Sequence, residues 1–179
     1  FETAKAINCR TTVDDACDAC LSCRKIEHAN HPDVKVVVPL KKSRIIDKEA
    51  IENVNELASL RPFESEWRVF VLQDAERMNL RAQNHFLKTL EEPPGRSAFI
   101  LLTEYPRMLL PTIRSRCQMV RFRPLSPSTV AELLREQRDL PEDLAASIAA
   151  LSQGQMTRAL DLLDSEKRDI VWAVVQRLA

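Results

Sequence analysis

Four cysteines fall at positions 9, 17, 20 and 23, and a fifth, Cys117, stands far along the chain. Thiolates are soft metal ligands. A C-x2-C turn directs two of them at one ion, so Cys17, Cys20 and Cys23 offer three ligands from one short loop. Cys9, across a longer gap, completes a tetrahedral set. A cluster plus one isolated thiol suits a structural Zn²⁺ site and a buried cysteine better than a disulfide framework, and it implies a reducing, cytoplasmic setting. With four protein ligands the ion keeps no open position for catalysis, and ordering its loop is worth on the order of 10 kcal/mol. Two other readings stay open: reduced cysteines without metal, and His28 or His31 in place of one thiolate. Otherwise both histidines, close to Pro32, are expected on the surface.

The run Val69-Phe70-Val71-Leu72 leads into Gln73-Asp74-Ala75-Glu76. Four apolar residues followed by acids at a strand end form a Walker B arrangement, in which a first carboxylate holds Mg²⁺ and a second orients the attacking water. Here the first position is Gln73, whose neutral amide supplies no charge to hold a divalent cation. Asp74 takes the second position; taken alone, such an acid also serves as a turn residue or helix cap. A further strand-like run ends in Thr103, which sets a hydroxyl at the carboxyl edge of the sheet, where α/β folds bind ligands. Beyond it, Ser115-Arg116-Cys117 puts a guanidinium at a rim, as a surface salt-bridge partner or a ligand contact. The two glycines, Gly95 and Gly154, precede Arg96 and Gln155, so no G-x-x-x-x-G-K-[ST] phosphate loop exists within these residues.

The elements that must position these groups follow from apolar periodicity. Apolar, β-branched runs predict strands at 34–38, 67–72, 98–103 and 117–122, and the middle two are apolar enough to be covered on both faces. Helices are predicted over 47–60, with Ile51, Val54, Leu57 and Ala58 on one face, and over 79–90, with Ala82, Phe86, Leu87 and Leu90. Pro93-Pro94 ends the second. Strand alternating with helix gives an α/β layer architecture over residues 1–123. From 124 onward the pattern is all-helical, near 127–138, 141–152, 155–163 and 166–178, with Ser126 capping a helix that begins at Pro127. The opening Phe1–Asn8 has no initiator Met and reads as the tail of a helix, the expectation for a truncated chain.

Charge narrows the function classes. Lys plus Arg and Asp plus Glu both count 26, so no global positive field attracts nucleic acid, although local patches can. No stretch approaches the roughly 18 apolar residues of a membrane span. No basic start leads into an apolar run with a cleavage site either, so membrane insertion and secretion are unsupported.

Taken in order, the cysteine cluster, Asn30-His31-Pro32-Asp33-Val34, Ser59-Leu60-Arg61-Pro62-Phe63-Glu64, the Walker B-like strand, Leu87-Lys88-Thr89-Leu90-Glu91-Glu92-Pro93-Pro94 and Ser115-Arg116-Cys117 resemble the clamp-loader family of AAA+ ATPases. The resemblance covers residues 1–125 closely; the helical region rests on Gly154 and Arg158-Ala159-Leu160. It implies an AAA+ three-layer parallel sheet, here lacking its P-loop portion, followed by a small all-α lid. Gln73 and the Ser-Leu-Arg-Pro-Phe-Glu stretch resemble the delta-prime type of DNA polymerase III subunit more than the gamma/tau motor type. The delta-prime type implies a non-hydrolysing stator in which Arg116 is an arginine finger acting in trans on a neighbour's ATP and Mg²⁺. By the same resemblance Thr103 matches sensor 1, Arg158 matches sensor 2, and the helix from Asn79 faces template DNA with Arg81 and Lys88. Implied partners are the delta and gamma/tau subunits, the sliding clamp indirectly, and primer-template DNA. The alternatives are a gamma/tau-type motor whose P-loop lies outside these residues, and a zinc-stabilised nucleic-acid-binding module, which the balanced charge disfavours.

Overall fold

The computed structural model describes residues 1–40 and 42–163. The chain divides into two compact units, Phe1–Met119 and Val120–Ala179.

In the first unit, a parallel sheet of three strands runs in the order β1 (Val34–Val37), β2 (Arg68–Leu72), β3 (Ser97–Leu101). Val34 pairs with Val69 and Val69 with Ala98; at the other end Val37 pairs with Leu72 and Leu72 with Leu101. Successive side chains of a strand point to opposite faces. Central β2 is buried at every position, and it therefore feeds two cores. Phe70 and Leu72 pack with Ile46, Ile51, Val54, Met78, Ala82, Phe86 and Ile113, beneath α3 (Lys48–Ser59), α4 (Leu80–Glu91) and α5 (Pro111–Arg114). Phe99 stacks on Phe70 and meets Phe86 edge-on, both at 5.3 Å between ring centroids. Val69 and Val71 face the other way, against Ala4 of α1 (Glu2–Asn8) and Ile26 of α2 (Leu21–Glu27). Thus the short helices around the cysteines are the third layer of the sandwich.

The helix boundaries have local causes. Asp47 and Asn79 cap α3 and α4 through their side-chain oxygens, which accept from Ala50 N at 2.9 Å and Ala82 N at 2.8 Å. The predicted apolar faces are the buried ones, with Leu57, Leu87 and Leu90 at their margins.

Two expectations are corrected. Residues 117–122 form no strand: a largely apolar run alone does not make one, because the backbone N–H and C=O groups need a neighbouring ladder. Here the sheet stops at β3, and Val120 and Phe122 are exposed, the latter at 91%. His31, expected at the surface, is buried. Its Nδ1 accepts the Asp33 N–H at 3.1 Å and its Nε2 lies 3.3 Å from Ser22 Oγ, so it is a satisfied interior imidazole.

The second unit holds α6 (Pro127–Arg138), α7 (Glu142–Ser152) and α8 (Met156–Asp161) around Val130, Leu134, Ala145, Ile148 and Ala159. Ser126 caps α6, accepting from Thr129 N at 3.1 Å, with Pro127 as the first helical residue. Gly154 sits at φ +77°, where a Cβ would lie 2.4 Å from the Leu125 carbonyl oxygen, so only glycine fits that crossing. The helix predicted near 166–178 lies outside the described residues. No helix among the described residues is long and apolar enough to cross a membrane.

Candidate functional site

The four predicted cysteine ligands converge: their Sγ atoms all lie within 4.8 Å of one another. A tetrahedron with Zn–S bonds of about 2.3 Å has edges of about 3.8 Å, so the cluster is already close to that geometry. Backbone N–H groups are aimed at the sulfurs, Thr12 N at Cys9 (3.4 Å), Cys20 N at Cys17 (3.3 Å) and Cys23 N at Cys20 (3.4 Å). The Thr12 hydroxyl and the Thr11 and Thr12 N–H groups pull the Cys9 thiol down to about 5. Because that hydroxyl also lies 2.7 Å from the Asp15 carbonyl, its one proton serves one acceptor at a time. Backbone N–H groups of Arg10 and Cys23 bring Cys20 down to about 7. Burial pushes Cys23 up to about 12. An all-sulfur donor set of four, partly pre-ionised and shielded, fits a structural zinc ion. Bound Zn²⁺ would supply the positive charge that lets all four thiols, Cys23 included, ionise together. Neither His28 nor His31 joins the cluster.

Side chains to which the sequence assigned no role bind this module to the sheet. Asn8 and Trp67 exchange two hydrogen bonds, Asn8 Nδ2 to Trp67 O (3.0 Å) and Trp67 N to Asn8 Oδ1 (3.2 Å). Consequently β2 starts one residue later than predicted. Asp33 is wholly buried and accepts from Phe63 N (2.7 Å), Glu64 N (2.8 Å), Ser65 N (3.0 Å), Ser65 Oγ (3.1 Å) and Arg68 Nη2 (3.0 Å). Burial alone would raise its pKa; the Glu64 and Phe63 N–H groups, the Arg68 guanidinium and the Ser65 N–H outweigh it and hold the carboxyl well below the usual aspartate range. Glu64 in turn receives Lys25 at 2.6 Å, and its carbonyl accepts Arg10 Nη2 at 2.6 Å. Lys5, nearly buried, meets Glu2, Asp18 and Glu27 at 2.7–2.8 Å.

The carboxyl edge of the sheet is equipped differently. Gln73 donates its backbone N–H to Val37 O at 2.9 Å, continuing the ladder. Asp74 is exposed in the left-handed region (φ 49°, ψ 50°), before a single 3-10 turn, Ala75–Arg77. Thr103 lies two residues past β3, and its hydroxyl accepts Tyr105 N at 3.0 Å, closing a turn. Of the three side chains the Thr103 hydroxyl serves the backbone, Asp74 makes no cap bond, and none joins a metal-holding group among the described residues. Gln83, to which no sequence motif points, ties the edge together: Nε2 donates to Met78 O at 2.9 Å and Oε1 accepts Leu110 N at 2.7 Å.

Arg116 follows α5 and is exposed. Nη1 donates to Thr112 O at 2.9 Å and Nη2 pairs with the Glu91 carboxylate. Two of its five N–H bonds are used, and the other three have no protein partner among the described residues. Arg81 and Lys88, seven residues apart on α4, share one exposed face. In the second unit Arg158 Nη1 donates to Gln153 Oε1 at 2.8 Å.

Residues 1–126 match the family described as "DNA polymerase III, delta subunit". Among curated proteins, the chain is 33% identical to DNA polymerase III subunit delta' of Bacillus subtilis over 93% of this chain and 48% of that protein. It is 30% identical to subunit tau of the same organism over 90% of this chain and 29% of that protein. The chain spans about half the length of the delta' relative, or less for tau. Among solved structures, a gamma-subunit-related DNA polymerase III protein from Thermotoga maritima superimposes with a TM-score of 0.53 at 20% identity, covering 84% of this chain and 66% of that one.

Proposed function

We infer the function from one premise: the chain belongs to the DNA polymerase III delta subunit family. Its α/β unit has the AAA+ fold. On that basis we propose a delta-prime-type clamp-loader subunit in DNA replication that does not hydrolyse ATP itself and completes a neighbouring subunit's site through Arg116. The observation that carries this is an exposed guanidinium following α5, three of whose N–H donors have no protein partner among the described residues, in a chain with Gln73 where the metal-binding acid would stand.

In that reaction water attacks the γ-phosphorus of the neighbour's Mg²⁺-bound ATP while the bond to the bridging oxygen of ADP breaks. Negative charge spreads over the transferring phosphoryl and the leaving oxygen. A planar fork of donors meets that charge with two parallel hydrogen bonds, which a lysine cannot do. Such a finger is worth about 10³ to 10⁵ in rate. Here Zn²⁺ at Cys9, Cys17, Cys20 and Cys23 is structural. ATP and Mg²⁺ act only in trans. The partners are the delta and gamma/tau subunits, with the sliding clamp reached through them. Primer-template DNA lies along α4, where Arg81 and Lys88 meet phosphates. Thr103 and Arg158 keep the sensor positions without a nucleotide of their own.

A second reading, a gamma/tau-type motor, draws support from the 30% identity to tau. A neutral amide at position 73 weighs against it, since it cannot replace the charge that holds Mg²⁺. Reconstitution of the complex from the full-length protein separates the two. Arg116→Ala should cut DNA-stimulated ATP turnover by about 10³, and Asp74→Asn should leave it unchanged. The opposite pattern would identify a motor.

A further inference from the structure

The sequence places Glu91 and Glu92 at the end of α4, just before Pro93-Pro94. A helix carries partial negative charge at its C-terminus, so an acid there is disfavoured unless a cation answers it. The answer comes from another element: Arg116 Nη2, whose other amino nitrogen is held 2.9 Å from Thr112 O. The guanidinium is therefore gripped at two nitrogens, by α4 on one side and by α5 on the other. The two helices are also fastened at their opposite ends, where Gln83 of α4 accepts Leu110 N, the residue that caps α5, at 2.7 Å. An ordinary surface ion pair joins two mobile side chains and contributes little to stability. This one joins a side chain to a braced corner.

From this geometry, and resting on the reading of Arg116 as an arginine finger, we infer that Glu91 is its positioning residue. The carboxylate sets the plane of the guanidinium while leaving three N–H donors for a neighbour's phosphate. Two-point restraint matters because a finger acts only when its fork is aligned as charge develops; a displacement of about 1 Å can cost about 10² in rate. Removing Glu91 leaves the charge of Arg116 in place and frees its orientation. The loss should fall on turnover and spare ATP affinity, because the contact is made in the transition state.

The test uses the complex reconstituted with full-length protein, read by steady-state ATP hydrolysis in the presence of primed DNA. Glu91→Ala should lower kcat by about 10- to 100-fold with the KM for ATP changed less than about 2-fold. Glu91→Gln, which keeps an acceptor for Nη2, should recover most of the rate. On an Arg116→Ala background Glu91→Ala should add nothing, since residues acting as a unit are not additive. A thermal melt of the Glu91→Ala protein within about 2 °C of wild type excludes a folding defect. Wild-type turnover for Glu91→Ala beside a collapsed Arg116→Ala overturns the positioning role and leaves the finger intact. An equal loss on both backgrounds, or a faster Glu91→Ala complex, overturns it too. Wild-type turnover for Arg116→Ala removes the finger itself, a separate failure read from a separate variant.

Discussion

At the cysteine module, four sulfurs lie within 4.8 Å of one another, with N–H groups aimed at them and a buried carboxylate anchoring the loop alongside. Along the carboxyl edge of the same sheet, the Gln73 backbone N–H continues the ladder, the Thr103 hydroxyl closes a turn, and the Asp74 carboxylate caps nothing and faces solvent. Both regions carry the residue types that bind metal or polarise water, and only the first gathers them. The contrast teaches that a set of chemistry-bearing residues becomes a site when other elements are dedicated to holding it. Arg116 meets that criterion through Glu91 and Thr112; Asp74 does not.

The comparison breaks most visibly at the proposed zinc site. The layer that closes over Val69 and Val71 packs Ala4 and Ile26 on them, with Ile7 partly buried, from two helices of seven residues each. Helices that short are not stable alone. Cys23→Ser, or a chelator that strips the proposed Zn²⁺, should remove on the order of 10 kcal/mol of ordering from the module. The predicted readouts are one zinc per chain by elemental analysis of the wild type, none in the variant, and loss of the cooperative thermal transition. Full metal loss with an unchanged melt would make the cluster dispensable.

Next in size is Asp33. Asp33→Ala leaves the Arg68 guanidinium without its counter-charge and three backbone N–H groups without their acceptor, and should cost about 3–5 kcal/mol by denaturant unfolding. Its pH dependence has a definite sign. An ordinary aspartate titrates at 3.8, and the folded value lies below that. Below the ordinary value the unfolded chain therefore binds more protons than the folded one. The Asp33 contribution is complete above about pH 4 and declines as pH falls toward the folded value, so the wild-type advantage over Asp33→Asn should narrow only in strong acid.

What the sequence made legible here, and what it did not, divides by range. The cysteine set, the cap at Ser126, and the helices α3 and α4 with their buried faces are properties of short windows, and periodicity or spacing reveals them. The Asp33 clasp and the Asn8–Trp67 pair span 30 and 59 positions and use side chains against backbone, for which no local pattern exists. An aspartate that follows Pro32 and immediately precedes a strand was the available hint, because a carboxylate entering a core must find donors. The false strand at 117–122 failed for the complementary reason: its apolar character was real, and the neighbour that a ladder requires was not among the described strands.

Smaller effects sharpen the contrast. Asn8→Ala leaves the Trp67 N–H and carbonyl without their partner and should cost about 1–3 kcal/mol. Asp74→Asn, which keeps a residue tolerant of the left-handed region, should stay within about 0.5 kcal/mol of wild type in the same unfolding assay. A loss of several kcal/mol at position 74 would mean that the sheet edge is held as firmly as the cysteine module.

The central claim is that Arg116 donates to phosphate at the moment of transfer in a neighbour's site. Binding of ADP with aluminium fluoride, a mimic of the phosphoryl group in flight, tests it most directly in the reconstituted complex. Arg116→Ala should weaken binding of that mimic by about 10³ or more while ATP affinity changes less than about threefold. Equal affinity of wild type and Arg116→Ala for the mimic would contradict the account.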